Sequence, residues 1–435
     1  MSFLLSDRII LVDILSAVFG ISSWIAVNGI WTQTPLLVQQ LPESFNLLSY
    51  IVVLIQVANV GPIIYSFFKS KFSTKRVEVP SIHIILLIGS LACLLSVFFW
   101  DHLAVINGTK HSVAFLALTT LLAIMDTTTS LLYFPYMSHF KSKYLVSLIF
   151  GEGLSGVVPS AVALIQGVGG EPTCKNISTG NDTYKMIPVS ADPRFSVNMF
   201  YLCLFILVLL CWLAFILLHH LNICKKERLD NYPETETNQN TTIASNQQII
   251  DSSIEKSSDS HEIISRNMFI YLLLVQAYIN AVSNGVLTSI ESYAKAPYGY
   301  QPYHLAVQLS SIANPISCCI VFLLSTRMQK LVMPVCVSIG TACAIFILIA
   351  ARMSPTPPGY NTTVGKVFIV IVSIATTASF SFSKTCIAAI FRATKTSHKL
   401  LYYCGISTQL GSFIGAVIMF CIVNYANVFH SAPPC

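Results

Sequence analysis

SVNMFYLCLFILVLLCWLAFILLHH, Ser196 to His220, is a run of 25 residues without a single Asp, Glu, Lys or Arg. At about 1.5 Å per residue a helix of this length crosses the ~30 Å hydrocarbon layer of a bilayer. The pattern recurs along the whole chain, at Ile9 to Trp31, Leu47 to Phe68, Pro80 to Trp100, Ser112 to Met137, Tyr144 to Val168, Asn267 to Ser289, His304 to Ser325, Pro334 to Ala351, Gly365 to Phe391 and Leu400 to Asn424. The sequence therefore predicts an all-α polytopic membrane protein with eleven transmembrane helices. Composition agrees: of 435 residues 54% are apolar and 10% charged, whereas a soluble domain carries about 25% charge. A soluble enzyme, a secreted disulfide scaffold and a nucleic-acid binder are excluded. The first run is long enough to span and lacks a small-residue cleavage site, so it reads as a retained span, not a signal peptide.

Eleven spans put the termini on opposite sides. With the N-terminus inside, 17 of the 25 Lys and Arg fall on the cytoplasmic face, 7 on the outer side, Lys366 at the outer edge of the tenth run among them, and Lys384 alone deep within a span, as cytoplasmic retention of positive charge requires. The N-x-[ST] triplets agree, because sugar is added only on the lumenal side. Asn107, Asn176, Asn181 and Asn361 begin such triplets in expected external loops and only Asn240 is internal. The reading divides the chain into a six-helix bundle (1–220), a disordered cytoplasmic linker (221–266) rich in Asn, Gln, Ser, Thr and Glu, a five-helix bundle (267–425) and a short extracellular tail (426–435).

The halves echo one another. Ala26-Val27-Asn28-Gly29-Ile30 in the first run matches Val282-Ser283-Asn284-Gly285-Val286 in the seventh, and Val57-Ala58-Asn59 matches Ile312-Ala313-Asn314. A repeat pointing twice the same way implies a pseudo-twofold axis along the membrane normal, with a solute site between the halves. Polar residues in spans usually face a bundle interior or a watery cavity. Gln276, Asn280, Asn284, Thr288 and Glu291 form one stripe at helical spacing, Trp24, Asn28 and Trp31 share a face of the first run, and His304, Gln308 and Ser311, with Asn314 near them, repeat the pattern in the eighth. The alternative for each is interhelical hydrogen bonding that only holds the bundle together. Trp24, Asn28, Gln276, Asn280, Asn284, Glu291, Gln308 and Asn314 are thus the candidate solute-binding residues.

Asp126, Glu152 and Lys384 are the charges deepest in the spans and the candidates for a gate or coupling site. Asp126 and Lys384 are 258 positions apart, close to the repeat offset, so the pseudo-twofold sets them at similar depth in opposite halves; the expectation is an ion pair of Lys384 with Asp126, or with Glu152, structural or opening during a cycle. Gly151, Gly153, Gly156, Gly405, Gly411 and Gly415 are expected to serve close helix packing. The chain has no Walker loop, no H-E-x-x-H and no Cys/His metal spacing, so no cofactor, no metal and no enzymatic activity is expected.

Five stretches carry a family resemblance: FGISSWIAVNGIW (Phe19 to Trp31), FGEGLSGVVPSAVALIQGVG (Phe150 to Gly169), NAVSNGVLTSIESYAKAPYG (Asn280 to Gly299), YHLAVQLSSIANP (Tyr303 to Pro315) and CGISTQLGSFIGAVIMF (Cys404 to Phe420). In these the chain resembles the eukaryotic riboflavin transporters, solute carrier family 52. The resemblance implies eleven helices in a 6+5 pseudo-twofold arrangement like the major-facilitator and equilibrative nucleoside carriers, an internal N-terminus, an external C-terminus, and ATP-independent uptake of riboflavin across the plasma membrane. Riboflavin is a flat neutral ring with an imide edge and a hydroxylated chain; aromatic plates and placed amides suit it, and Trp24, Asn28, Gln276, Asn280, Asn284, Gln308 and Asn314 supply both. Two departures stand out. Better-known members read W-x-E-x-P where this chain has Trp31-Thr32-Gln33-Thr34-Pro35, and the cysteine expected to pair near the C-terminus is missing from the loop before the tenth span. Cys174 and Cys435 are the two cysteines expected outside, and bridge or free thiols both stay open. The competing readings are a carrier of another neutral heterocycle such as a nucleoside, and a receptor that binds without transport.

Overall fold

The computed structural model describes residues 9–72, 74–141, 143–169, 173–178, 184–189, 192–229, 265–392, 394 and 397–432. Among them, ten helices are long and apolar enough to cross a membrane, and a bent pair makes the eleventh. The first span is that pair, Ile10–Ile21 and Ile25–Gln40, meeting at 53°. The second is also interrupted, as Leu47–Val57 and Val60–Lys71. The third to sixth are Thr74–Phe99, Val113–Ser138, Lys143–Gln166 and Val197–His220. The seventh runs as an α-helix over Arg266–Asn280 and as a π-helix over Ala281–Leu287, then gives way to a separate short helix, Glu291–Lys295. The eighth to eleventh are Tyr300–Val321, Thr326–Arg352, Thr363–Arg392 and Ser397–Tyr425. Ser196 and Ser265 start the sixth and seventh by accepting the N–H of Met199 and Met268 on their hydroxyls. Large apolar side chains such as Leu274, Leu331 and Val364 stand exposed on the outside of the bundle, which suits lipid.

Helix approach is set by glycine. A Cβ on Gly151 would run into the carbonyl of Ala17, and one on Gly411 into that of Ala277, so the fifth span lies in backbone contact with the first and the eleventh with the seventh. Gly415 meets Ala281 in the same way, while Gly405 has nothing within 4 Å and serves no packing role. These contacts fix the internal symmetry. Ser147 on the fifth span donates to Asp13 on the first, and Ser407 on the eleventh to the carbonyl of Leu273 on the seventh. Asp13 and Leu273, Ala17 and Ala277, Ser147 and Ser407, Gly151 and Gly411 are each 260 positions apart. Asn28 and Asn284, which define the sequence echo, are only 256 apart. The turn at Ser22–Trp24 therefore inserts about one helical turn into the first span that the seventh does not have. Rank is preserved between the halves and register is not.

Two short hairpins project from the loops, Ala104–Ile106 with Thr109–His111 and Thr173–Ser178 with Tyr184–Val189. Asn107 and Gly108 both take positive φ at the tip of the first, as a tight two-residue turn demands. The stretch expected to be disordered from residue 221 is folded at its start. Asn222–Lys226 is a helix, Leu229 donates its N–H to the carbonyl of His139 at 2.8 Å, and the carboxylate of Glu227 accepts from Lys141 at 3.1 Å and from the hydroxyl of Tyr144 at 2.9 Å. Asn181, Asn240 and Cys435 lie outside the described residues.

Candidate solute-binding site

The broken first span decides where the polar side chains go. Its turn leaves backbone donors and acceptors unpaired at mid-membrane, where irregular backbone survives only if protein satisfies it. The fourth span does so from a run of four consecutive polar residues, three of which bond to the breaks. Asp126 accepts the N–H of Val27 at 2.7 Å on Oδ2, at the start of the outer helix, and Thr129 donates to the carbonyl of Ser23 at 2.8 Å. Thr127 donates to the carbonyl of Ala58 at 3.1 Å, in the interruption of the second span, and Gly61 packs on Thr128. One helix thus braces two breaks.

In this state Lys384 is paired with neither of the carboxylates expected for it, and Asp126 is engaged elsewhere. Asp126 is fully buried and its carboxylate caps a helix, whereas the Lys384 Nζ lies 3.5 Å from the hydroxyl of Ser283 in the π-helix. Among the described residues no carboxylate is within ion-pair distance of Lys384. Glu152 is half-buried and lines a recess shared with Ser23, Thr129 and Ser130 beside the first span's turn. Its carboxylate has no described partner either.

Above the turn, Asn28 is half-buried at the seam between halves. Its Nδ2 donates to the Ser155 hydroxyl at 3.2 Å, and a Cβ on Gly156 would lie 3.5 Å from that nitrogen and 3.6 Å from the carbonyl of Ser311 on the eighth span. The other half repeats the arrangement, with the Asn284 Nδ2 donating to the Ser412 hydroxyl of the eleventh span at 3.1 Å. Each half thus ties an asparagine of its first helix to a serine of its fifth. Trp24 and Trp31 flank Asn28, partly buried against Val27 and Ala58.

The remaining stripe is more internally bonded than its spacing suggests. Gln276 donates to Thr408 at 2.8 Å, Asn280 to the carbonyl of Gln276 at 2.8 Å, and Asn284 also to the Asn280 Oδ1 at 3.2 Å. Just past the π-helix, Thr288 donates its hydroxyl to the carbonyl of Asn284 at 2.7 Å. Glu291 does not belong to the stripe: the chain turns before it, and its carboxylate is held by Lys295 at the start of a separate helix. Asn314 is exposed, with its Oδ1 3.9 Å from the Cys318 Sγ.

Gln308 is fully buried and bolts the halves together, donating to the carbonyl of Thr32 at 2.8 Å. It is one of a set at the end of the molecule that the sequence assigns outside. Ser292 donates to the carbonyl of Phe45 at 3.2 Å, Tyr293 to Asn46, and Asn424 to Ser49 at 2.9 Å. Beside them Gln33 donates to Gln166 at 2.7 Å. At mid-depth a longer contact of 3.5 Å joins Asn59 to Gln409. Toward the other end no described hydrogen bond joins the halves. Sequence reasoning missed this seam and the brace. The run Asp126-Thr127-Thr128-Thr129 in an otherwise apolar span was the available signal for the brace; the seam joins residues more than 200 positions apart and left none.

Comparison with known proteins fits this geometry. The family model described as solute carrier family 52, riboflavin transporter, matches residues 8–431. Solute carrier family 52, riboflavin transporter, member 3-B of Danio rerio is 35% identical, over 97% of this chain and 98% of its own. Riboflavin transporter 2 of Salmo salar is 33% identical over 98% of both, and member 3 of Homo sapiens 32% over 98% of both. Among solved structures, a D-xylose–proton symporter covers 96% of this chain and 92% of its own with a TM-score of 0.57 at 12% identity, and the xylose transporter of E. coli in a partially occluded inward-open conformation covers 96% and 94% with a TM-score of 0.54. At such identities the likeness concerns the fold alone.

Proposed function

The chain belongs to solute carrier family 52, the riboflavin transporters, and from that membership we propose that it carries riboflavin across the plasma membrane by alternating access, without ATP. The observation that carries this reading is the family match over residues 8–431. The geometry supports it: a seam closed by hydrogen bonds at one end, with an asparagine from each half behind it at mid-depth.

In this reading the structure is an inward-facing state. Positive residues and N-x-[ST] triplets put the seam of Gln308, Ser292, Tyr293 and Asn424 on the external side, and opening it admits the vitamin. The ring lies among Trp24 and Trp31, where an aromatic plate gains from stacking. The imide edge and the ribityl hydroxyls meet Asn28, whose Oδ1 has no described partner, while Asn284 holds the facing wall through its bonds to Asn280 and Ser412. Gln276, Asn280 and Gln308 act chiefly through the helices they tie, and Asn314 faces the inner approach. The termini follow from the same orientation, N-terminus inside and C-terminus outside.

Uptake of labelled riboflavin into cells expressing the chain, with unlabelled riboflavin, flavin analogues and nucleosides as competitors, tests the proposal. Riboflavin and its analogues should compete and nucleosides should not. Counterflow from vesicles loaded with unlabelled riboflavin should accelerate entry; a receptor that only binds gives none.

A further inference from the structure

Two charges in the spans have no counter-charge in this state. Glu152 lines its recess with neither a hydrogen-bond partner nor a cation among the described residues. Among the described residues Lys384 reaches only the hydroxyl of Ser283. Asp126, the third intramembrane charge, is spent on the backbone of the first span. An ionised side chain at membrane depth is costly unless water or an opposite charge meets it.

Both charges flank the eighth span at nearly one depth. Gly153, next to Glu152, faces Pro315 of that span, where an added Cβ would lie 3.4 Å from the proline Cβ. Thr385, next to Lys384, contacts the Cys318 Sγ at 3.2 Å. Pro315 and Cys318 are three residues apart, about 4.5 Å along a helix. The two charges belong to opposite halves, and both lie on the inner side of the hydrogen-bonded seam, where no described hydrogen bond joins the halves.

Resting on the transport reading, we propose that Glu152 and Lys384 form the inner gate of the outward-facing state, as an ion pair made along one face of the eighth span only when the inner ends close. Rocking the halves about mid-membrane opens the seam at Gln308 and brings the inner ends together. As the inner water is expelled, each charge loses its hydration and gains the other. A buried pair offsets its desolvation only if both partners are present, so removing one is far worse than exchanging them. Neither residue touches the solute; both are positioning residues that set the balance between the two states.

Cross-linking tests this in the full chain, with Cys318→Ser to remove the neighbouring thiol and a protease site inserted within residues 230–264. Glu152→Cys and Lys384→Cys together should form a disulfide on oxidation, keeping the halves joined on a non-reducing gel after protease cleavage. Uptake should be lost on oxidation and return with reductant, and neither single cysteine should join the halves. Because a double cysteine variant can misfold, charge exchange is the second arm. Glu152→Gln and Lys384→Met should each lower uptake by roughly tenfold or more, and Glu152→Lys with Lys384→Glu should recover about a third of the parental rate, as a pair partly restored predicts. Absence of the cross-link in inserted protein, or an exchange variant no better than the singles while Lys384→Arg transports normally, overturns the gate. The cross-link does not depend on the solute, so a parent that fails to take up riboflavin defeats the transport reading separately.

Discussion

Asn28 and Asn284 share a motif but differ in what they have left to offer. Asn284 gives both amide hydrogens, to Asn280 and Ser412, and its Oδ1 accepts from Ser283. Asn28 gives one hydrogen, to Ser155, and its Oδ1 has no described partner. Replacing Asn28 by Leu should therefore remove a solute contact of about 1 to 3 kcal/mol, seen as a roughly five- to hundred-fold weaker half-saturation for uptake with unchanged surface expression. Replacing Asn284 by Leu breaks a packed network instead, and thermal stability in detergent should fall together with expression. Equal affinity losses at unchanged expression in both variants would contradict this division. Asp126 is a residue of the second kind: Asp126→Leu, which leaves the N–H of Val27 without an acceptor, should lower the melting temperature clearly more than Asp126→Asn, which keeps one. The expected cost is about 1 to 3 kcal/mol for the orphaned group. A larger effect of the amide would mean that charge, not capping, is what the site requires.

At the scale of elements, the spans were legible and their interruptions were not. Twenty apolar residues without charge leave a chain in lipid few choices, which is why the run at Ser196 to His220 and the observed helix Val197–His220 differ by one residue. Hydropathy is blind to a turn such as Ser22–Trp24, because serines and a tryptophan there keep the window apolar. The asparagine echo concealed the one-turn shift between halves for the same reason. It also made Asp126 look like a partner for Lys384, when its carboxylate is occupied by the turn. The segment after the sixth span is a second such case, since its composition gave no sign that its start docks on the bundle. There, burial pushes the Glu227 carboxyl up, but the hydrogen bonds from Lys141 and Tyr144 and the charge of Lys143 outweigh it and hold the group below its ordinary value of 4.5. A lowered carboxylate contributes stability that is complete above that value and lost as pH falls through the lower one. Docking of residues 222–229 should accordingly be indifferent to pH between 5 and 8 and loosen only in stronger acid. Limited proteolysis after the sixth span, followed against pH, reads this directly; loosening near pH 6 would mean that another group holds the segment.

For the whole molecule, the orientation proposed from the odd number of spans and the distribution of positive charge is tested by the sugar acceptors. Asn107 stands exposed at a hairpin tip and Asn361 exposed in the loop before the tenth span. Enzymatic removal of N-linked sugar should increase gel mobility, and changing Asn107, Asn176, Asn181 and Asn361 together to Gln should abolish the shift. A shift that survives and depends on Asn240 inverts the molecule in the membrane. With the orientation proposed here, the external seam has a property that its bonding chemistry dictates. Ser292, Tyr293, Gln308 and Asn424 close it with neutral groups on both sides of every bond, and riboflavin itself is uncharged. An elementary charge crossing the membrane exchanges about 2.3 kcal/mol with a potential of 100 mV, but parting a neutral hydrogen bond displaces no such charge. Parting the seam bonds is therefore electrically silent in itself, and any dependence of opening on the membrane potential has to come from the two charges at the inner end, Glu152 and Lys384.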